Sequence, residues 1–222
     1  MLFKKNKKII LKQAVDTGNF FKKASYFKAA ENDIDWEWDL FIWPVIKNLD
    51  FSCVLDLAAG YGRNSEKLKK YAKKIIIVDI QEECINACME RFKGDDRFEF
   101  IKTNGLSLKG IDDNSITLVY SFDSMVHFHK DVIREYIKEF QRILKPGGFG
   151  FCHHSNYSAK PGSSFNENPH WRSDMSYELF EKFCNESKLD VVQHQIIDWG
   201  SKKEDSYYPG LDCITLFKKT ES

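Results

Sequence analysis

The feature that most constrains the fold is the stretch VLDLAAGYGRNSEKL at residues 54–68. A short apolar run contains a carboxylate, a turn of small residues follows, and a helical pattern begins after the second glycine. A strand, a glycine turn and a helix in this order are typical of the first β–α unit of an open parallel sheet. Because ligands of such sheets bind at the carboxyl ends of the strands, the stretch also predicts the place of a site.

The rest of the chain continues the alternation of strands and helices. The run IIIVDI at 75–80 is typical of a strand whose sheet is covered on both faces. Further strand patterns occur at 53–58, 97–103, 115–122, 149–154, 190–199 and 211–217. No helical pattern separates the last two, so we expect them to pair antiparallel. The sequence predicts an α/β fold, a doubly wound, Rossmann-like, seven-stranded sheet with an antiparallel last strand.

The predicted sheet begins near residue 50 and divides the chain into two parts. Residues 1–49 are predicted to be a helical N-terminal extension, in which apolar residues recur at helical spacing. Residues 50–222 are predicted to form the α/β domain. Within this domain, the polar stretch 156–174 contains proline and glycine, and we interpret it as an insertion on the acceptor side of the site.

Composition excludes several classes of protein. The 222 residues include 33 basic and 33 acidic side chains, so no net charge favours nucleic acid as a partner. The six cysteines include no CxxC pair and fit no zinc spacing, which predicts no metal site and a reduced, cytoplasmic protein. The basic N-terminus has an apolar run only at 9–11, which is too short for a signal peptide or a membrane span.

Three ligands compete for the glycine turn. A P-loop requires a lysine that is missing after Gly62, and a dinucleotide turn prefers a third glycine where Ser65 stands. A carboxylate such as Asp56 would repel a pyrophosphate at roughly 4–6 Å by about a kcal/mol or more. The same carboxylate favours a cationic ligand, and S-adenosylmethionine carries an ammonium and a sulfonium group.

The stretch VLDLAAGYGR resembles the first motif of class I S-adenosylmethionine-dependent methyltransferases, with Ala58 in place of the usual first glycine. The resemblance spans residues 50–219 and includes the LKPGG turn and the antiparallel last strand. It implies S-adenosyl-L-methionine as the cofactor. The cofactor-binding residues that it implies are Asp56, Ala58, Ala59, Gly60, Gly62, Asp79, Ile80, Asn104, Gly105, Ser121 and Phe122.

Three of these residues have specific implied roles. Asp79 ends the second strand, where a carboxylate can accept hydrogen bonds from both ribose hydroxyls. Ile80 would lie on the adenine face, and Asn104 would accept from the adenine amino group. Structural alternatives are a helix N-cap for Asp79 and an ordinary turn for Asn104-Gly105.

Histidines are concentrated at the predicted carboxyl edge of the sheet. Methyl transfer requires alignment of the acceptor, and an alcohol must also lose a proton, which an imidazole or a carboxylate can take. His153 and His154 point to opposite faces of one strand, so at most one of them would face the acceptor. The candidate bases, in order of preference, are His154 or His153, then His127, then Asp123. Each could instead be a cap or a packing residue.

The insertion is rich in hydrogen-bonding and stacking groups, and we interpret it as a lid over a polar acceptor. Its candidate substrate-binding residues are Tyr157, His170, Trp171 and Arg172. Arg172 could clamp a carboxylate or a phosphate, with an ion pair as the structural alternative. The pattern HHSN, WRSDMS, DW and DCITLF resembles methyltransferases of bacterial sugar and polysaccharide modification.

The sequence therefore predicts in-line methyl transfer to an oxygen of a small polar acceptor, such as a sugar or a glycan precursor, with a histidine or aspartate base. Alternatives within this class are a phosphate-type oxygen or an amine as the acceptor. Alternatives from other classes are an NAD-dependent oxidoreductase and a non-catalytic binding protein. The tryptophan-rich segment 34–49 could cover the active site or a second subunit, which would make the protein a homodimer.

Overall fold

The computed structural model describes residues 2–22, 24–199 and 207–221. The N-terminal part comprises α1 (Leu2–Phe20), α2 (Ala24–Ala30), α3 (Ile34–Glu37), a π-helical turn (Trp38–Ile42) and α4 (Trp43–Ile46). The α/β part comprises β1 (Val54–Leu57), α5 (Arg63–Leu68), β2 (Ile75–Asp79), α6 (Glu82–Arg91), β3 (Phe98–Lys102), β4 (Ile116–Ser121), α7 (Lys130–Ile143), β5 (Leu144–Ser155), α8 (Tyr177–Glu186), β6 (Leu189–Trp199) and β7 (Tyr208–Lys219). Short 3₁₀ turns lie at Met125–His127, Phe165–Glu167 and Pro169–Trp171.

The described strands form a seven-stranded sheet in the order β3-β2-β1-β4-β5-β7-β6. The first five strands are parallel, whereas β7 runs antiparallel to both β5 and β6. This topology confirms the predicted fold class, including the antiparallel last strand. The strand order reverses between β1 and β4, and ligands of open α/β sheets bind at such a reversal.

The start of β5 differs from the sequence prediction. The LKPGG stretch was expected to separate a helix from a strand beginning at residue 149, but β5 begins at Leu144, directly after α7. Leu144 pairs with Ile116, and the regular register resumes only at Phe149. Pro146 has no backbone N–H to give to the ladder, and Gly147 is left-handed with φ 76°, so the turn is absorbed as an irregularity.

The tryptophan-rich segment packs on one face of the sheet and does not line the cavity described below. Trp38, Ile42 and Ile46 are buried in a core cluster that includes Val54 and Ile77 from the sheet. Period-two alternation along β1 sends Leu55 and Leu57 to a second cluster on the opposite face.

Helix α1 lies against the carboxyl edge of the sheet. A Cβ added at Gly18 would stand 2.8 Å from the Nε2 of Gln81 and 2.9 Å from Ile80, so the helix backbone closely approaches the loop after β2. Ala14, one turn earlier, is buried in the same cluster as the inner face of α7. The N-terminal extension therefore covers the edge at which the parallel strands end.

Candidate active site

A cavity lies at the strand-order reversal, between the carboxyl edge of the sheet and α1. The space between them is about 720 Å³, part of which is open to solvent. Its floor includes Ala58, Gly60, Asp79, Ile80 and Gly105. Its roof, the part supplied by the extension, consists of Ala14, Thr17, Gly18, Phe21 and Phe27.

Two glycines of the floor are required by the closeness of this roof. A Cβ at Gly60 would stand 2.9 Å from the ring of Phe27, and one at Gly105 would stand 2.8 Å from Ala14. Both residues also have left-handed backbones, with φ of 57° and 88°, which glycine adopts without strain. Larger residues at either position would push the roof away from the floor.

Asp79 places a buried carboxylate in the floor. Its Oδ2 accepts the Gly60 N–H at 3.0 Å and its Oδ1 accepts the Gln81 N–H at 2.8 Å. Burial raises the pKa of Asp79 to about 6, against the lowering effect of these backbone hydrogen bonds. Because each carboxylate oxygen can accept a second hydrogen bond, both can still accept from a hydroxyl in the cavity. The N-cap of α6 is Gln81 and not Asp79.

The structure does not place Asp56 at the cavity, which corrects the sequence expectation. Leu57 lines the cavity, and the alternation of the strand turns its neighbour Asp56 to the opposite face. There Asp56 accepts a 2.6 Å hydrogen bond from the Oγ of Ser65, and burial raises its pKa to about 7. The charge of Asp56 therefore does not favour a cationic ligand over a pyrophosphate in the cavity.

The other residues expected to bind the cofactor fall into two groups. Ala59 and Phe122 line a smaller neighbouring pocket of about 360 Å³, which shares Phe27 and Gly60 with the cavity. Gly62, Asn104 and Ser121 line neither pocket. We therefore take Ala58, Gly60, Asp79, Ile80 and Gly105 as the candidate cofactor residues.

Each member of the second group has a structural role. Gly62 has a φ of 82°, and a Cβ there would stand 2.8 Å from the ring of Phe92. The Oδ1 of Asn104 accepts the N–H groups of Leu106 and Ser107, both at 3.0 Å, which is the turn alternative. The hydroxyl of Ser121 donates to the Leu57 carbonyl at 3.1 Å.

His154, a first choice for the base, points away from the cavity. Its Nε2 lies 2.8 Å from the Oγ1 of Thr215, its Nδ1 lies 2.9 Å from the Ser155 carbonyl, and its ring stacks on Phe180. Burial lowers the pKa of His154 to about 3. The sequence predicted that only one of the two adjacent histidines could face the acceptor, and His154 is excluded by its position.

His153 lies one contact away from the cavity and does not line it. Its Nδ1 accepts the backbone N–H of Asp123 at 3.1 Å, so its Nε2 carries the proton. That Nε2 lies 3.2 Å from the Oδ2 of Asp212, which is also fully buried. His153 therefore supports Asp123 and is not itself placed to contact an acceptor.

His127 is the histidine that lines the cavity. Its Nδ1 lies 2.8 Å from the Trp171 carbonyl oxygen, which can only accept, so Nδ1 carries the proton. The proton-free Nε2 is buried and has no hydrogen-bond partner among the described residues. Burial, together with the charge of Arg172, lowers the pKa of His127 to about 4, so the ring is neutral at pH 7. The ring packs on Phe21 with centroids 4.4 Å apart.

Asp123 also lines the cavity, in a strained conformation with φ 57°. Its Oδ2 accepts from the Nη2 of Arg63 at 2.7 Å. The Nη1 of Arg63 contacts the Glu37 carboxylate at 2.8 Å and the Ala30 carbonyl at 2.7 Å. Arg63 thereby joins the glycine turn, the loop after β4 and the extension. No spacing in the sequence pairs residues 37, 63 and 123, so sequence reasoning missed this contact.

The insertion places its candidate substrate residues outside the cavity. The guanidinium of Arg172 forms a two-point ion pair with Asp212 at 2.7 and 2.5 Å and lies 4.8 Å from the Trp199 ring centroid. Because Arg172 is buried in this pair, it is not placed to clamp a substrate anion. Tyr157 bridges to Asp174 through the backbone.

Two further residues of the insertion have unusual backbones. His170 and Trp171 have φ of 47° and 56°, a conformation that costs non-glycine residues about 1–3 kcal/mol each. The ring of His170 packs on Tyr208, and the half-exposed ring of Trp171 packs on Phe20. The part of Trp171 that reaches the site is its carbonyl, through His127.

Two absences concern the described residues alone. They include no group of three or more His, Cys, Asp or Glu side chains arranged to hold a metal ion. They also include no helix that is long and apolar enough to cross a lipid bilayer.

Comparison with known proteins gives consistent similarities. Residues 54–148 match a family described as "Methyltransferase domain". The chain is 32% identical over 97 residues to a demethylmenaquinone methyltransferase of Clavibacter sepedonicus, covering 43% of this chain and 38% of that one. It is 28% identical over 158 residues to phosphoethanolamine N-methyltransferase 1 of Triticum aestivum, covering 69% of this chain and 31% of that one. The chain thus spans about a third of the length of these relatives.

The fold has close structural neighbours. A SAM-dependent methyltransferase from Methanosarcina mazei superposes with a TM-score of 0.63 at 17% identity, covering 81% of this chain and 98% of that one. At this identity the likeness concerns the fold.

Proposed function

We propose, because residues 54–148 match a methyltransferase-domain family, that the protein transfers a methyl group from S-adenosylmethionine to an oxygen of a small polar acceptor. The carrying observation is the covered cavity, in which the Asp79 carboxylate stands beside Gly60 and Gly105. Residues 1–49 would serve as a helical extension that covers this cavity, and residues 50–222 as the catalytic domain.

The residues present fit the cofactor. Gly60 and Gly105 keep side chains out of the narrow gap between the floor and the roof, and Asp79 offers further lone pairs to hydroxyl groups in the cavity. Asp79 would hold the ribose hydroxyls, Ile80 would lie against the adenine, and the backbone at Ala58 and Gly60 would hold the amino-acid end. When bound, S-adenosylmethionine supplies an electrophilic methyl group on a sulfonium.

The chain itself would exclude water, align the acceptor and take its proton. Phe21 and Phe27 of the roof line the cavity and would reduce its contact with water. We assign to the proton-free Nε2 of His127, which has no hydrogen-bond partner among the described residues, the role of accepting a proton from an acceptor hydroxyl. The carboxylate of Asp123 is paired with Arg63, so we propose that Asp123 shapes the cavity and does not act as the base.

The covered cavity and the assigned base support the proposed class of acceptor. A cavity shared with the cofactor suits a small molecule such as a sugar or a glycan precursor. An amine acceptor is the second candidate, because the wheat relative is named as an N-methyltransferase acting on phosphoethanolamine. A neutral imidazole would serve either acceptor by removing a proton.

Calorimetric titration of the full chain with S-adenosylhomocysteine and with NAD tests the choice of cofactor. We expect saturable binding of S-adenosylhomocysteine and none of NAD. Binding of NAD without binding of S-adenosylhomocysteine would reverse the proposal in favour of an oxidoreductase. Binding of S-adenosylmethionine without transfer to any sugar, glycan or amine would favour a non-catalytic binding protein.

Asp79→Ala is expected to weaken binding of S-adenosylhomocysteine by about 10–100-fold, because hydrogen bonds to a charged group are lost. Calorimetry measures this loss. Asp113→Ala is the matched control, since Asp113 is an exposed aspartate that pairs with Arg142 and does not line the cavity. Equal affinities of the wild type and Asp79→Ala would remove Asp79 from the site.

Binding is also expected to depend on pH. Ribose hydroxyls donate to the ionised carboxylate, and the pKa of Asp79 is raised to about 6 by burial. Protons therefore compete with the ligand, and affinity should fall as the pH is lowered through about 6. Titrations in a pH series measure this, and Asp79→Asn should abolish the dependence. A dependence that persists in Asp79→Asn would assign it to another group.

A further inference from the structure

Two of the titratable groups that line the cavity, His127 and Asp123, are each held by a contact that leads to the insertion. His127 contacts the carbonyl of Trp171. Asp123 is held through His153 and Asp212, a pair of fully buried side chains. His127 is thus connected to Trp171. Asp123 is connected, through His153 and Asp212, to the next residue, Arg172.

We propose that Arg172 is a positioning residue that holds His127 and Asp123 in their working geometry from outside the cavity. The part of this proposal that concerns His127 as the base rests on the proposed function. The part that concerns the orientation of His127 and Asp123 depends only on the contacts of Arg172.

The first path runs through the side chain of Arg172. Its guanidinium holds both oxygens of Asp212, and Asp212 in turn faces the Nε2 of His153. The Nε2 of His153 lies 3.2 Å from this carboxylate without meeting hydrogen-bond geometry, and the negative charge of an ionised Asp212 favours the tautomer with the proton on Nε2. The Nδ1 of His153 can then accept the backbone N–H of Asp123. Burial alone would raise the pKa of Asp212, but the charge of Arg172 and the adjacent ring of His153 hold it well below its usual range.

This first path explains how Asp123 keeps a left-handed backbone. Its N–H is fixed by His153, and its carboxylate is fixed by Arg63. A residue with φ 57° needs such support, because the surrounding contacts must offset the strain. Loss of Arg172 would leave Asp212 buried without its cationic partner. The side chain of His153 would then be held less firmly.

The second path runs through the turn that carries Arg172. Its Nη1 donates to the His170 carbonyl at 2.9 Å, and its backbone N–H donates to the Pro169 carbonyl at 3.0 Å. These bonds close the turn over the two left-handed residues, so the carbonyl of Trp171 faces the Nδ1 of His127. The next N–H, that of Ser173, donates to the Val126 carbonyl at 2.9 Å.

This second path fixes the tautomer of His127. Because the Trp171 carbonyl can only accept, it selects the form with the proton on Nδ1 and the lone pair on Nε2. The charged groups that act on His127 are Arg172, Asp123 and Asp212. Of these, Arg172 disfavours a protonated ring, whereas the two carboxylates favour it.

The test is nuclear magnetic resonance of the histidine ring nitrogens, which needs neither an acceptor nor turnover. In the wild type we expect a His127 signal with Nδ1 protonated and Nε2 unprotonated, constant between pH 6 and 8 because its pKa is about 4. In Arg172→Gln we expect a mixture of tautomers and a titration midpoint shifted upward. Arg172→Lys should restore part of the wild-type behaviour. His127→Gln identifies the signal by its absence.

Asp212→Asn separates the two paths. It should change the backbone amide signal of Asp123 and leave the His127 tautomer as it is in the wild type. Arg142→Gln is the matched control, because Arg142 also bonds two backbone carbonyls, those of Ile111 and Leu108, and pairs with Asp113 away from the cavity. It should change neither signal.

The proposal is overturned if the His127 tautomer and midpoint, and the Asp123 amide, are unchanged in folded Arg172→Gln. If that variant does not fold, Asp212→Asn decides, and an unchanged Asp123 amide signal in this folded variant overturns the proposal. Failure of the proposed function has a different signature, because absence of S-adenosylhomocysteine binding would leave these signals of the free protein as described.

Discussion

Replacing His127 by glutamine is expected to lower kcat for methyl transfer by about 10²–10⁴-fold, the usual contribution of a general base. Glutamine has a similar length and can still donate to the Trp171 carbonyl, so the turn should keep its shape. Because His127 is assigned to the acceptor side, binding of S-adenosylhomocysteine should stay nearly unchanged. Single-turnover rates with an identified acceptor, together with calorimetry, measure the two effects separately.

His170→Gln is the control for this substitution. His170 belongs to the same insertion, and its ring packs on Tyr208 without lining the cavity. It should keep wild-type kcat. Full activity of His127→Gln would remove His127 as the base and leave alignment of the acceptor as the main source of catalysis.

Arg63→Met is expected to lower the free energy of unfolding by about 3–5 kcal/mol, which corresponds to a fall in Tm of roughly 10 °C. The reason is that Glu37, whose side chain is only 2% exposed, would lose the cation it contacts at 2.8 Å. The carboxylate of Asp123 would lose its guanidinium partner in the same substitution. Chemical denaturation measured by circular dichroism gives the change.

Lys74→Met is the matched control. Lys74 pairs with Glu99 at 2.7 Å, but their side chains are 43% and 53% exposed. Exposed ion pairs contribute about 0–1 kcal/mol, so the control should stay near the wild type. A similar small change for Arg63→Met would show that the buried ion pairs do not fasten the extension to the sheet.

Much of the fold follows from local sequence patterns. The apolar run Ile75–Asp79 and its neighbours alternate with helices, and this alternation leaves few arrangements other than a doubly wound sheet. The sequence has no helical pattern between its last two strands, which predicted antiparallel pairing, and β6 and β7 pair in this way. The start of β5 was missed because the proline and glycines of LKPGG are also typical of a break between elements.

The site was harder to predict, because strand alternation decides on which face each side chain lies. Asp56 and Leu57 are adjacent, yet only Leu57 lines the cavity. His153 and His154 are adjacent in the same way, and the sequence does not say which one is inward. A one-residue difference in phase therefore moves a candidate residue out of the site.

Other features of the site depend on distant segments. The apolar face of α1 is visible in the sequence, but the surface it covers is not, so the roof could not be predicted. In the sequence, Arg63 served only to show that the lysine of a P-loop is missing. Its ion pairs could not be predicted because its partners Glu37 and Asp123 lie 26 and 60 residues away. Asp79 was predictable because its place at the end of β2 follows from the strand itself.

A crystal structure of the full chain with S-adenosylhomocysteine tests the central claim most directly. We predict the ligand under α1, with its ribose hydroxyls on the carboxylate of Asp79 and its sulfur on the side of His127. An empty cavity beside a ligand bound elsewhere, or a pyrophosphate group lying against Gly60, would contradict it.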